Sequence, residues 1–159
     1  MLSTASQPSA RLPETERSPD YGWLYRCAPT ERIRLIRKGM PAQVFVRMSN
    51  DMGVTKERLF KTLHFSSATM KRKLANNQAL PQEWSERMLG LQKLIGQVEV
   101  MIEESGRPEG FNAARWVADW LEQPAVALAG ARPAEFMDTV EGQEMIADLL
   151  AKLQSGAYA

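Results

Sequence analysis

Apolar residues recur every three or four positions along most of the chain, which is the spacing of helices that bury one face. No segment alternates apolar and polar residues over the length of a useful strand. The pattern therefore predicts an all-α protein. Its longest helix follows Pro81, continues to about Glu104, and has apolar residues spaced by four, three, four, three and four positions. They are Trp84, Met88, Leu91, Ile95, Val98 and Ile102.

This heptad seam has two interpretations. Either the helix packs along the core of its own domain, or the seam joins two copies of the chain. We favour the first, because the seam is too short to hold a coiled coil by itself.

Two helices are predicted before residue 54. Thr30 is the expected N-cap of the first helix, which ends at Gly39. Pro41 suits the first turn of the second helix, which ends at Gly53. The apolar face of the second helix consists of Val44, Phe45, Met48 and Met52.

Residues 55–75 have the pattern of a helix-turn-helix. The first helix begins at Thr55, and Ser66 caps the second. His64 lies in the turn between them, where we expect it to adopt a left-handed or tight backbone conformation. The residues expected to face the core are Leu59, Phe60, Leu63, Met70 and Leu74.

The second helix of such a motif enters the major groove of DNA with its N-terminal residues toward the bases. The DNA-binding residues predicted on the face opposite Met70 are Ser67, Ala68, Thr69, Lys71, Arg72 and Lys73. Of these, Ser67, Ala68 and Lys71 are expected to face bases and the other three to hold phosphates. The phosphate-contacting surface is expected to extend to Arg34, Arg37 and Lys38.

The distribution of charge agrees with this assignment. Residues 26–75 contain twelve basic and three acidic residues, a net charge of +9. Residues 76–159 contain six basic and thirteen acidic residues, a net charge of −7. A basic half indicates a polyanion such as DNA as its partner, and an acidic half indicates a different one.

Three more helices are predicted in the acidic half. Asn112 caps the first, which runs to Glu122, and Pro133 begins a short one. Thr139 caps the last, which stops at Gly156. Their apolar residues are Trp116, Val117, Trp120 and Leu121 in the first and Ile146, Leu149, Leu150 and Leu153 in the last.

The composition argues against several classes of protein. His64 is the single histidine and Cys27 the single cysteine, and the chain has no Gly-rich phosphate loop. We therefore predict a protein without enzymatic activity, cofactor or metal. No apolar run reaches the roughly 20 residues that span a bilayer, and the N-terminus lacks a secretory signal, so we expect a cytoplasmic protein. Residues 1–20, rich in Ser, Pro and charge, are expected to be a flexible tail.

Residues from about 55 to 159 resemble the Xre/MbcA/ParS-type antitoxins, the partners of RES-domain toxins. Leu63-His64-Phe65-Ser66 stands where the family has Leu-Gly-aliphatic-Ser, and Leu80-Pro81 with Ser85-Glu86-Arg87 resembles the start of its bridging helix. The strongest match is Trp120-Leu121, Pro124, Leu128, Gly130, Pro133, Thr139, Gly142, Leu149 and Gly156-Ala157-Tyr158-Ala159, at the family's spacing. His64 in place of the turn glycine and Ala125 in place of an asparagine are departures.

The resemblance implies an antitoxin that occludes the active site of a RES-domain toxin, which consumes NAD or ADP-ribosylates a target. It also implies repression of the antitoxin's own operon. On this basis we assign Arg132, Lys152 and Tyr158 to toxin contacts, with Trp120, Pro133 and Gly142 mainly as scaffold. The expected partners are the toxin and operator DNA, and the expected form is a homodimer within a larger complex.

The predicted organisation is a tail (1–20), a helix-turn-helix domain (21–80), a bridging helix (81–104) and a toxin-binding domain (105–159). One alternative stays open. The chain could be a helix-turn-helix transcription regulator whose C-terminal half binds a small ligand or dimerises and has no toxin partner.

Overall fold

The structure is a computed structural model that describes residues 20–106 and 109–157. Within these ranges it contains eight α-helices and no strand, which confirms the all-α prediction. The helices are α1 (Tyr21–Arg26), α2 (Pro29–Lys38), α3 (Gln43–Met52), α4 (Lys56–Leu63), α5 (Ser67–Ala75), α6 (Gln82–Glu104), α7 (Ala113–Trp120) and α8 (Val140–Gln154). Two short 3₁₀ helices, Val126–Leu128 and Pro133–Phe136, lie between α7 and α8. No helix in the described ranges is both long and apolar enough to cross a bilayer.

Side-chain caps set the start of several helices. Four predicted caps are confirmed, because each accepts a hydrogen bond at 3.0–3.3 Å from the backbone N–H three residues later. They are Thr55, Ser66, Asn112 and Thr139. The predicted cap Thr30 is wrong: Ala28 takes the cap position and α2 begins at Pro29, two residues earlier than predicted. The fixed φ of proline suits the first position of a helix, which explains the earlier start.

Helix α6 is the centre of the fold. Its seam residues Met88, Leu91, Ile95 and Val98 are at most 3% exposed, so the seam faces the core of the same chain. The alternative that this seam joins two copies is therefore wrong, because its residues are already covered. The helix is also buried on other sides, since α1, α2, α7 and α8 all pack against it.

Helix α1 was not predicted. It lies across α6 at Gly96, where a Cβ atom would come within 1.9 Å of the Tyr21 carbonyl oxygen. The Tyr21 hydroxyl donates to Asp51 at 2.5 Å, and burial together with this bond raises the pKa of Tyr21. Arg32 donates to the carbonyl oxygens of Leu24 and Cys27 at the end of α1, at 2.8 and 2.6 Å. The helix is thus tied to α3, α6 and α2.

The predicted tail lies almost entirely outside the described residues, which begin at Asp20. Asp20 is the N-cap of α1, and its side chain accepts a hydrogen bond from the Trp23 N–H at 3.0 Å. The last residue assigned to the tail therefore belongs to the first helix.

The C-terminal helices are close to their predicted bounds, with three differences. Helix α7 ends at Trp120 rather than Glu122, and Trp116 and Leu153 are 37% and 44% exposed rather than buried. Buried amide side chains attach α8 to the rest of the fold. Gln97 donates to the Ala147 carbonyl oxygen at 3.0 Å, and Gln143 donates to that of Arg87 at 2.8 Å. One apolar core therefore extends from Tyr21 to Leu150.

Candidate functional site

The six residues predicted to bind DNA all lie on α5. Met70 is fully buried beneath this helix, and Ser66 caps its N-terminus. Because Met70 anchors the inner face, the opposite face points outward. Ser67, Ala68, Lys71 and Arg72 are exposed, whereas Thr69 and Lys73 are half-buried. The structure thus brings the predicted residues together on one short helix.

The turn before α5 is held from α6. His64 has φ 56° and ψ 48°, which confirms the predicted left-handed conformation. Arg87 donates to the carbonyl oxygens of Leu63 and His64 at 2.9 and 3.3 Å, and its guanidinium group lies 5.2 Å from the centre of the Phe65 ring. Phe65 stacks on Trp84 at 4.5 Å between ring centres. These contacts fix how α5 projects from the fold.

Three basic residues of α2, Arg34, Arg37 and Lys38, are exposed as well. Arg34 pairs with Glu31 at 2.8 Å, while Arg37 and Lys38 lie in the last turn before Gly39. An exposed pair one turn apart on a helix is worth about 0.3–0.5 kcal/mol, which does not keep Arg34 from a phosphate.

Arg132, predicted to contact the toxin, belongs to a cluster of charges that joins the two halves of the chain. The two carboxylate oxygens of Glu122 pair with different arginines: Arg132 at 2.7 Å and Arg58 of α4 at 3.4 Å. Arg58 also donates to the carbonyl oxygen of Ala118 in α7. The backbone N–H of Arg132 donates to Glu135 at 2.9 Å, which fixes the start of the second 3₁₀ helix. We call Arg58, Glu122, Arg132 and Glu135 the charge cluster.

The other two predicted toxin contacts are placed differently. Lys152 is exposed in the last turn of α8, where it lines a cleft with Leu128 and Met145. Arg132 instead lines a cleft of about 700 Å³ that also includes His64. The structure therefore places Arg132 and Lys152 in separate clefts. Tyr158 lies outside the described residues.

The residues assigned to the scaffold are less accessible. Pro133 is buried, and Trp120 is half-buried against the core. Gly142 is buried, and a Cβ atom there would lie 2.0 Å from the Phe136 carbonyl oxygen, so this close approach requires glycine. Among the described residues, no three His, Cys, Asp or Glu side chains are grouped so as to hold a metal ion.

Comparison with known proteins identifies both regions. Residues 31–93 match the antitoxin Xre-like helix-turn-helix domain, and residues 110–156 match the antitoxin Xre/MbcA/ParS C-terminal toxin-binding domain. A relative named Prs ADP-ribosylating antitoxin, from Sphingobium sp. (strain YBL2), is 43% identical over 155 residues, which cover 96% of this chain and 98% of the relative. The chain belongs to the Xre/MbcA/ParS antitoxin family.

The matched regions correspond to distinct parts of the antitoxin. The helix-turn-helix match covers α2 to α5 and the first half of α6, and the toxin-binding match covers α7, both 3₁₀ helices and α8. Helix α1 lies before both matches. The suggestion of a transcription regulator without a toxin partner therefore loses its support, because the acidic half matches a toxin-binding domain.

Three residues shape these surfaces without having been predicted to do so. They are Arg87, which holds the turn, and Arg58 and Glu122, which hold Arg132. Arg87 was noted only as part of the resemblance to the bridging helix, yet it follows Trp84 by three positions and so lies on the same face of α6. Arg58 and Glu122 have no comparable signal, because they are far apart in the chain.

Proposed function

We propose that this antitoxin neutralises a RES-domain toxin, which consumes NAD or ADP-ribosylates a target, by covering the toxin's active site. The observation that carries the proposal is the match of residues 110–156 to a toxin-binding domain. The name of the Sphingobium relative, Prs ADP-ribosylating antitoxin, supports the proposed toxin chemistry, because ADP-ribosylation uses NAD as the donor. In this proposal the antitoxin is not an enzyme and contributes no chemistry of its own.

Arg132, Lys152 and Tyr158 remain the proposed toxin contacts. Arg132 is suited to such a role because it lies at the surface with 47% of its side chain exposed and already in a fixed position. A guanidinium group held in place loses less entropy when it binds a carboxylate or phosphate. Lys152 and the end of the chain after α8 supply the second proposed contact region.

We further propose that the antitoxin represses its own operon as a homodimer that binds DNA through α5. Ser67, Ala68 and Lys71 would face base edges, and Thr69, Arg72 and Lys73 would hold phosphates. The exposed, basic face of α5 supports this, as does the exposed end of α2 with Arg37 and Lys38. The proposed organisation keeps the boundaries 21–80, 81–104 and 105–159, with the tail at 1–20, and the proposed location is the cytoplasm.

The proposal is tested by expressing the product of the adjacent gene with and without this antitoxin. We expect the toxin alone to stop growth and lower cellular NAD, and the antitoxin to restore both and co-purify with the toxin. An antitoxin with Lys71→Ala and Arg72→Ala is the matched control, because it should still neutralise. Failure to co-purify would contradict toxin binding, whereas growth arrest without a change in NAD or ADP-ribosylation would contradict the RES assignment alone.

A further inference from the structure

The toxin-binding region exposes a row of aromatic rings, which we call the aromatic stripe and define as Phe111, Trp116 and Trp120. Trp116 stacks on Trp120 with 5.8 Å between ring centres and an angle of 10° between planes. Phe111 contacts Trp116 at 6.4 Å, tilted by 42°. Phe111 and Trp116 are 36% and 37% exposed. Three adjacent rings therefore form one ordered apolar surface.

The core does not require the outer part of this stripe. Helix α7 packs on α3 and α6 through a neighbouring side, with Ala113, Ala114, Val117 and Ala118 buried. Trp120 packs against the core, whereas Trp116 and Phe111 are exposed and contact their aromatic neighbours. Such rings keep apolar area in contact with water without a gain in core packing. That arrangement is typical of a surface that a partner covers.

The stacking also prepares the stripe for binding. Tryptophan is enriched among the residues that dominate binding energy, where it fills a desolvated pocket of the partner. Because Trp116 is already held by Trp120, less side-chain freedom is lost on association. Exposed Arg115 and Asp119 flank the rings along α7, which gives the apolar centre a charged rim.

The position of the stripe indicates which partner covers it. Its three residues lie inside the region matched to the toxin-binding domain, residues 110–156. Trp120 is also two positions before Glu122, which holds Arg132 through a 2.7 Å ion pair. The stripe thus ends two residues before the carboxylate that pairs with a proposed toxin contact. We propose that the aromatic stripe is an apolar anchor for the toxin, with Trp116 at its centre, an inference that rests on the proposed toxin binding.

The test compares two exposed tryptophans in the full-length antitoxin. Trp116→Ala is set against Trp23→Ala, whose side chain is 47% exposed on α1, outside both matched regions. We expect Trp116→Ala to weaken the affinity for the purified product of the adjacent gene at least about tenfold, and Trp23→Ala less than about twofold. Isothermal titration calorimetry measures both, and Trp116→Phe should recover part of the loss.

Further measurements keep the result interpretable. Phe111 lies before the first residue of α7, so Phe111→Ala leaves the helix intact. This variant should weaken toxin binding even if Trp116→Ala does not fold. Wild-type affinity in both variants would overturn the stripe as a toxin anchor while toxin binding itself stands. Loss of self-association by Trp116→Ala in analytical ultracentrifugation, with unchanged toxin affinity, would assign the stripe to a second copy and overturn the inference. No binding by the wild type would overturn the proposed function as well.

Discussion

The helix-turn-helix and the toxin-binding region are built in different ways. In the first, a hydroxyl side chain caps each of the two helices by accepting a hydrogen bond from the backbone N–H three residues later. The exposed face of α5 also follows from the local sequence. In the second, residues 121–139 contain only two short 3₁₀ helices. Arg132 there is positioned by Glu122 and, through it, by Arg58 from the other half. Local caps therefore set where the helices of the DNA-binding surface begin, although Arg87 of α6 also holds the turn between them. The position of Arg132 in the toxin-binding surface depends in addition on Arg58, which comes from the other half of the chain.

The two regions nevertheless share α6. Its first turns hold the helix-turn-helix through Arg87. Its later turns are joined to α8 by the buried Gln97 side chain, which donates to the Ala147 carbonyl oxygen. A common core implies that the regions unfold together although their surfaces form by different means. The first prediction tests this point and has the largest expected effect.

Replacing Leu91 with alanine should destabilise both regions at once. Leu91 is fully buried on α6, and the lost contacts and the cavity should cost about 2–5 kcal/mol of the free energy of unfolding. Urea denaturation followed by circular dichroism and by tryptophan fluorescence should give one coincident transition at lower urea. Leu153→Ala is the matched control, because Leu153 is 44% exposed and its loss should cost less than about 0.5 kcal/mol. Two separate transitions in Leu91→Ala would show that the halves unfold independently.

The second prediction separates the surfaces instead. Lys71→Ala with Arg72→Ala should lower affinity for DNA from the antitoxin's own promoter about a hundredfold or more and reduce its salt dependence by about two phosphate contacts. Toxin affinity should be unchanged, because α5 lies outside the toxin-binding match at residues 110–156. Fluorescence anisotropy over a range of salt concentrations measures the effect.

The control for this variant removes equal charge elsewhere. Arg26→Ala with Lys93→Ala also deletes two cations, but on α1 and in the middle of α6. It should change DNA affinity only by the small, general effect of net charge. Equal losses in the two double variants would argue against α5 as the DNA-contacting helix.

The same difference between regions explains what could be predicted from the sequence. The helix-turn-helix was predicted nearly to the residue, because caps, turn and buried positions are all encoded within 20 or so consecutive residues. The left-handed turn at His64 was also predictable, since histidine tolerates that conformation better than most residues. The caps Asn112 and Thr139 in the other half were located correctly because a helix cap is also encoded by a few consecutive residues.

What could not be predicted depends on distant partners or on the direction of a face. Helix α1 has only six residues, too few for a periodic pattern, and its place is set by Gly96. Trp116 was expected to be buried because periodicity shows that a helix has an apolar stripe, without showing whether the chain itself covers all of it. The pair of Arg58 with Glu122, which helps to hold Arg132, was missed because an ion pair between residues far apart leaves no local pattern.

The smallest predicted effect concerns the pair that crosses between the regions. A double-mutant cycle with Arg58→Met and Glu122→Gln should give a coupling free energy of about 0.5 kcal/mol, because both side chains are roughly one-third exposed and water screens the pair. The cycle is needed because Arg58 also donates to Ala118, so either single variant loses more than the pair. Urea denaturation at low and high salt measures the coupling, which should shrink as salt screens it.

The Arg34–Glu31 pair within α2 is the control, and its removal should leave the Arg58–Glu122 coupling unchanged because it lies on a separate helix. A coupling of zero at low salt would mean that the charge cluster positions Arg132 without joining the two regions energetically.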